Sequence, residues 1–217
     1  MRMRTKKWAR PELAVCPFYI KNPQDYKGKW SERYKKQQPI WLELGCGKGS
    51  FLSQIAVERQ DKNFLAVDLS SDMLGLTKRN VEASFAKNNL AIDNVYITWQ
   101  NIERIDNIIN GDIVERIFIN FCNPWHKPSQ YKKRLTHTRQ LTRYREFLIE
   151  DGEVWFKTDD DELFKHSLTY FEEAGFEITY ITYDLHESGF EPNYRTEHEN
   201  MYSAEGIKIK FLIAKKK

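Results

Sequence analysis

The apolar positions of this chain fall into short runs, each followed by a stretch where they recur every three or four residues. Ile40–Leu44 is apolar apart from one acid and stops at glycines, which predicts a strand. Phe51, Leu52, Ile55 and Ala56 follow at helical spacing. Phe64–Val67 predicts a second strand, ending at Asp68. Ser70-Ser71-Asp72 then offers a helix cap, with Met73, Leu74, Thr77, Val81 and Phe85 on one face. Val95–Trp99 and Ile117–Phe121 predict the third and fourth strands. Leu135 to Leu148 is helix-like, and Gly152 marks a turn before a fifth strand, Val154–Phe156. Leu163, Leu168 and Phe171 lie on a further helix that stops at Gly175. Ile178–Tyr183 and Ile207–Ala214 predict the last two strands.

Strands alternating with helices predict an α/β fold. The expected form is a Rossmann-like, seven-stranded, mostly parallel sheet with helices on both faces and one antiparallel C-terminal strand. Ligands of such sheets gather outside the C-terminal ends of the strands. Residues 1–38 are basic, rich in Pro, Tyr and Trp, and show no clean period. They are expected to form an arm ahead of one domain spanning residues 39–217.

Composition narrows the class. At 217 residues a single core can form without staples, and 41% hydrophobic with 30% charged residues excludes a disordered chain. No apolar run approaches the ~20 residues of a membrane span, and no apolar signal segment follows the first charges. Cys16, Cys46 and Cys122 are odd in number and include no Cys-x-x-Cys. Neither a disulfide framework nor a metal site is expected, and a reducing cytoplasm fits best. The net charge of +3 conceals an uneven distribution. Arg2, Arg4, Lys6, Lys7 and Arg10 form one acid-free block; Lys127, Lys132, Lys133, Arg134, Arg139, Arg143 and Arg145 form another. Such blocks suit a nucleic-acid backbone, although a solvated surface also explains a lone block.

Candidate chemistry sits at the strand ends. Glu43-Leu44-Gly45-Cys46-Gly47-Lys48-Gly49 leaves a strand and enters a helix, and its glycines let the backbone turn tightly and approach a ligand. A tight strand–helix turn explains a bare Gly-x-Gly equally well. The third glycine comes one residue too early for a dinucleotide loop, and Glu43 would oppose a pyrophosphate, which makes a nicotinamide dehydrogenase the least favoured reading. Asp68, 19 residues past Gly49, is placed to accept ribose hydroxyls, or simply to cap the next helix. Asn101, with Gln100 and Glu103 as competitors, follows the third strand, where an adenine is commonly read. The fourth strand ends in Asn120-Phe121-Cys122-Asn123-Pro124-Trp125-His126-Lys127. Pro124 stiffens this turn, Trp125 suits either a base stack or the core, and Lys127 and the later cations suit phosphates.

The glycine loop resembles motif I of class I S-adenosylmethionine-dependent methyltransferases. The Asn123-Pro124-Trp125-His126-Lys127 segment with Lys132-Lys133-Arg134-Leu135 resembles the Asp-Pro-Trp … Lys-Arg-Arg pattern of tRNA (guanine-N7-)-methyltransferases. Phe156-Lys157-Thr158-Asp159 and Thr196-Glu197-His198-Glu199 with Gly206 continue that resemblance in order, over residues 40–214. Asn123 stands where the family has Asp, and His198 where it has Phe or Tyr.

The resemblance implies methyl transfer from S-adenosyl-L-methionine to N7 of a guanine in the tRNA variable loop. It implies a cofactor site of Glu43, Gly45, Gly47, Gly49, Asp68, Asn101 and Asn123. It implies Asn123 and Asp159 as catalytic residues, and Lys127, Lys132, Lys133, Arg134, Asp159, Thr196, Glu197 and Glu199 at the tRNA substrate, with the acids holding guanine donors. N7 carries no proton, so no general base is needed and alignment carries most of the work. A catalytically weak tRNA-binding protein is the alternative that Asn123 motivates, and a methyltransferase for another substrate leaves the basic blocks unexplained. A monomer and a homodimer are equally compatible with the sequence.

Overall fold

The computed structural model describes residues 5–111 and 113–217. Arg2 and Arg4 of the first basic block lie outside them. The fold is a mixed α/β one with eight strands, mostly parallel, carrying antiparallel pairing at the C-terminal end. It divides into two compact units, Met1–Ile108 and Ile109–Lys217.

The first unit runs α1 (Ala9–Ala14), β1 (Tyr19–Ile20), α2 (Trp30–Arg33), β2 (Ile40–Leu44), α3 (Ser50–Glu58), β3 (Asn63–Asp68), α4 (Ser71–Lys87) and β4 (Val95–Trp99). Its strands pair in parallel in the order β1-β4-β3-β2. Leu42, Leu44, Leu65, Ala66, Val67 and Ile97 are buried, as expected of strands covered on both faces.

The eighth strand is β1, which no periodicity marks. The described part of residues 1–38, expected as an arm, packs within this unit. The indole of Trp30 is fully buried and donates to the Ile108 carbonyl at 2.7 Å. The Tyr34 hydroxyl donates to the Phe64 carbonyl at 2.9 Å. A Cβ on Gly75 of α4 would stand 2.7 Å from Cβ of Ala9, so α1 meets α4 where that side chain is missing. Isolated large aromatics and one glycine hold this segment, and neither leaves a helical or strand repeat in the sequence.

The second unit runs β5 (Val114–Asn120), α5 (Thr138–Arg145), β6 (Leu148–Thr158), α6 (Asp161–Glu173), β7 (Phe176–Thr182), α7 (Glu197–Ala204) and β8 (Lys210–Lys216). β5 pairs in parallel with β6, and β8 runs antiparallel between β6 and β7. β6 spans 11 residues rather than the expected three. Asp151 has φ +63°, and the β5–β6 register shifts between Val114 and Arg116, so Gly152 lies in a bulged strand and not in a turn. The helix expected over 135–148 shortens to α5, because Arg134-Leu135-Thr136-His137 forms a turn, the His137 amide donating to the Arg134 carbonyl at 3.1 Å, and His137 caps the helix that follows.

Candidate cofactor and substrate site

In the first unit, the loop after β2 is built on left-handed glycines. Gly45, Gly47 and Gly49 have φ +83°, +54° and +75°, a region that side chains with a Cβ enter at a cost. They differ in what surrounds them. A Cβ on Gly49 would stand 2.5 Å from Cγ2 of Thr77 on α4, so this glycine seats α3 against α4. A Cβ on Gly47 would meet nothing within 4 Å, so that side of the loop is open.

Asp68, at the end of β3, accepts the Gly47 amide at 2.9 Å and the Ser70 amide at 2.8 Å. Burial nonetheless raises its carboxyl above the usual range. Ser70, not Asp68, caps α4. Glu43 is buried at the end of β2. The Asn101 side chain accepts the Glu103 amide at 3.0 Å and so shapes the turn after β4. The loop, Glu43, Asp68 and Asn101 thus stand at the ends of three adjacent parallel strands.

That set suits a nucleoside-bearing cation. An open glycine cradle admits a ligand backbone-close, a half-buried acid offers oxygens to hydroxyls, and a second acid lies on the same rim. A pyrophosphate, facing two carboxylates, would be repelled.

In the second unit, the end of β5 is strained. Phe121 and Trp125 have φ +53° and +46°, which costs each about 1–2 kcal/mol. Strain on bulky residues at a strand end points to a functional constraint. Asn123 is exposed, and its carboxamide oxygen accepts the Trp125 amide at 3.1 Å, closing the turn around Pro124. Lys133 lies 4.9 Å from the Trp125 ring centroid.

Arg134 was expected at the substrate. It is instead fully buried beneath this turn, donating through Nε to the Pro124 carbonyl at 2.6 Å and pairing with Glu162 at 2.8 Å. Arg145, of the same block, is also turned inward: it donates to the Gly175 and Lys217 carbonyls. Lys127, Lys132 and Arg139 remain exposed.

Asp159 is half-buried just past β6. Asp160, not Asp159, caps α6, accepting the Leu163 amide at 2.6 Å. Burial, and then the Asp160 charge, raise the Asp159 carboxyl, while Lys210 and His198 oppose them. Around it stand three rings the sequence reading did not assign. Phe121 stacks on His198 at 6.1 Å and tilts against Tyr202 at 5.9 Å, and the charge on Asp159 raises Tyr202 further than burial alone. His198, the departure from the family's Phe or Tyr, still supplies a flat face. An acid among aromatic rings fits a flat, cationic ring system.

Thr196 and Glu199 form a capping box at the start of α7, the Thr-x-x-Glu spacing that would have revealed this helix. Glu199 is fully buried. It pairs with Lys157 at 3.1 Å and meets His186 and Asn193, each at 2.8 Å. Burial would raise its carboxyl, but Lys157, Asn193 and His186 together hold it below the ordinary range. It therefore braces α7 against β6, where a contact with guanine was expected. Glu197 is exposed at the start of the same helix.

The sequence matches the family described as "Putative methyltransferase" over residues 37–212. It is 56% identical to a tRNA (guanine-N(7)-)-methyltransferase of Clostridium beijerinckii, over 100% of this chain and 99% of that one. The chain belongs to the tRNA (guanine-N(7)-)-methyltransferase family. A relative with the same name from Acetivibrio thermocellus is 50% identical, with both chains covered completely.

Among solved structures, an antibiotic-related methyltransferase superposes with TM-score 0.62 at 14% identity, covering 88% of this chain and 92% of that one. The 16S rRNA methyltransferase KamB gives TM-score 0.62 at 12% identity, covering 98% and 94%. These likenesses concern the fold. Among the described residues no helix is long and apolar enough to cross a membrane, and no group of three or more His, Cys, Asp or Glu is placed to hold a metal.

Proposed function

We propose that this chain methylates N7 of a guanine in the tRNA variable loop, using S-adenosyl-L-methionine, in the cytoplasm. The full-length match at 56% identity carries the reading. Transfer to guanine N7 of tRNA is the family's reaction, and the variable loop and the residue roles below are the finer reading.

The donor supplies an electrophilic methyl group on a sulfonium. Gly45, Gly47 and Gly49 form its cradle. Asp68 takes the ribose hydroxyls, and its bond to the Gly47 amide fixes where they sit. Glu43 faces the positive end, and Asn101 the adenine.

Guanine N7 has a lone pair and no proton, so no side chain needs to remove one. The base gains positive charge as the methyl arrives. Asp159 is the acid placed to meet that charge, and it does so among Phe121, His198 and Tyr202, where displaced water makes the interaction stronger. Asn123 positions Trp125 rather than exchanging a proton, which an amide does as well as a carboxylate. Lys127, Lys132 and Lys133 hold phosphates once the base has left its stack. Glu197 and the Thr196 backbone complete the rim.

The test is methylation of an unmodified tRNA transcript, with the modified position mapped by chain cleavage at 7-methylguanosine. Cleavage in the variable loop is the expected result, and methylation confined to another position would reject the reading.

A further inference from the structure

We infer that a second nucleotide-binding subsite, built on Trp99, lies in the first unit and holds one unstacked nucleotide of the tRNA other than the target guanine. This rests on tRNA being the substrate.

The N-terminal segment and the end of β4 enclose two adjoining chambers of about 840 and 480 Å³, sizes typical of ligand sites. They share Arg10, Ser71 and Trp99. No glycine of the cofactor loop lines either one, nor do Asp68 or Asn101. The larger chamber is basic: Lys6, Lys7 and Arg10 face a single acid, Asp72. The smaller is mostly apolar, walled by Leu13, Ala14, Tyr19 and Trp99, with Lys21 at its rim.

Strand register explains the second wall. Tyr19 of β1 pairs with Ile97 of β4, and side chains two apart share a face, so Tyr19 and Trp99 stand on the same side of the sheet. The indole of Trp99 is pinned, since Nε1 donates to the Leu69 carbonyl at 2.5 Å. The residue is nevertheless 44% exposed and lines both chambers. A large aromatic held at one edge and exposed to a cavity can serve as a stacking platform.

Charge decides what stacks there. The neighbouring cations Lys78 and Arg79 are paired with Glu12. Among the described residues, Lys6, Lys7, Arg10 and Lys21 have no ion-pair partner. An aromatic compartment beside unpaired cations matches a base with its phosphate, the pairing used by proteins that hold single-stranded nucleic acid.

The experiment measures binding of an unmodified tRNA transcript to the full chain. Trp99→Ala is expected to weaken it about ten-fold, as for loss of one stacked base, and Trp99→Phe to restore most of that. Arg10→Gln is expected to lower the slope of log affinity against log salt by about 1. Affinity for S-adenosylhomocysteine should stay within about two-fold in all three variants, which separates loss of stacking from damage to the fold. Equal RNA affinity for Trp99→Ala and wild type overturns the subsite. So does a change in sedimentation without a change in RNA affinity, which would assign the surface to a second copy of the chain. Methylation of the transcript by the wild type is scored separately, so failure of the reaction and failure of the subsite give different results.

Discussion

Asp68 accepts the Gly47 amide at 2.9 Å, tying the carboxylate that ends β3 to the loop that leaves β2. The end of β3 and the loop after β2 are thereby held together by a bond within the chain itself. The two glycines of that loop with contrasting surroundings separate folding from binding.

Gly49→Ala should cost about 2–4 kcal/mol of stability, from the left-handed backbone and the 2.5 Å approach to Thr77. Gly47→Ala should cost only about 1 kcal/mol, because its Cβ meets no protein atom, yet should weaken S-adenosylhomocysteine binding at least ten-fold. Thermal unfolding with and without that ligand measures both. A Gly47→Ala protein that binds normally would remove the loop from the cofactor site.

Asp159 must be charged to stabilise a methylated, cationic guanine, and burial raises its carboxyl. The acid limb of the methylation rate should therefore lie above the range of an ordinary aspartate, about 3.9. Asp159→Asn should abolish that limb and lower kcat/KM about a hundred-fold. A carboxyl raised by folding opposes folding once it ionises, so the same substitution should raise Tm at neutral pH. A pH–rate profile paired with thermal unfolding tests both, and an unchanged rate would remove Asp159 from catalysis.

Glu199 is buried against Lys157, and its carboxyl is held low. It therefore contributes stability at pH values above its unfolded value, about 4.3, which is lost as pH falls through the depressed folded value. Glu199→Gln leaves the Lys157 ammonium buried without its charge partner and should cost about 3 kcal/mol. Denaturant unfolding at pH 7 and at pH 4 would show the difference between variant and wild type narrowing in acid. A constant difference would contradict the charge pairing.

Asn123→Asp keeps the oxygen that accepts the Trp125 amide and should leave methylation within about three-fold of wild type, whereas Asn123→Ala releases the turn and should lower it at least ten-fold. If alanine is tolerated, the Trp125 turn does not depend on residue 123.

Strands β2, β3 and β4 were legible because Ile40–Leu44, Phe64–Val67 and Val95–Trp99 are apolar runs with sharp polar or glycine ends, whereas the two residues of β1 are too short to show a pattern. β6 was not, because Glu150-Asp151-Gly152-Glu153 reads as a turn when the bulge at Asp151 is unseen. The turn after β2 and the strand end at Asp68 were legible too, from the glycines and from the polar stop to an apolar run. The roles of Arg134 and Glu199 were not, since both are charged residues buried by partners, Glu162 and Lys157, that lie 28 and 42 positions away. His198 and Tyr202 lie one turn apart on α7, but Phe121 meets them from the end of β5, so no local pattern announces the whole ring cluster.

β8 lies between β6 and β7, so those two strands never touch each other. The two strands are joined in one sheet solely through β8, so the sheet of the second unit closes from its interior: without Lys210–Lys216 in place, β6 and β7 would each present an unpaired edge, the kind of edge that pairs with other chains.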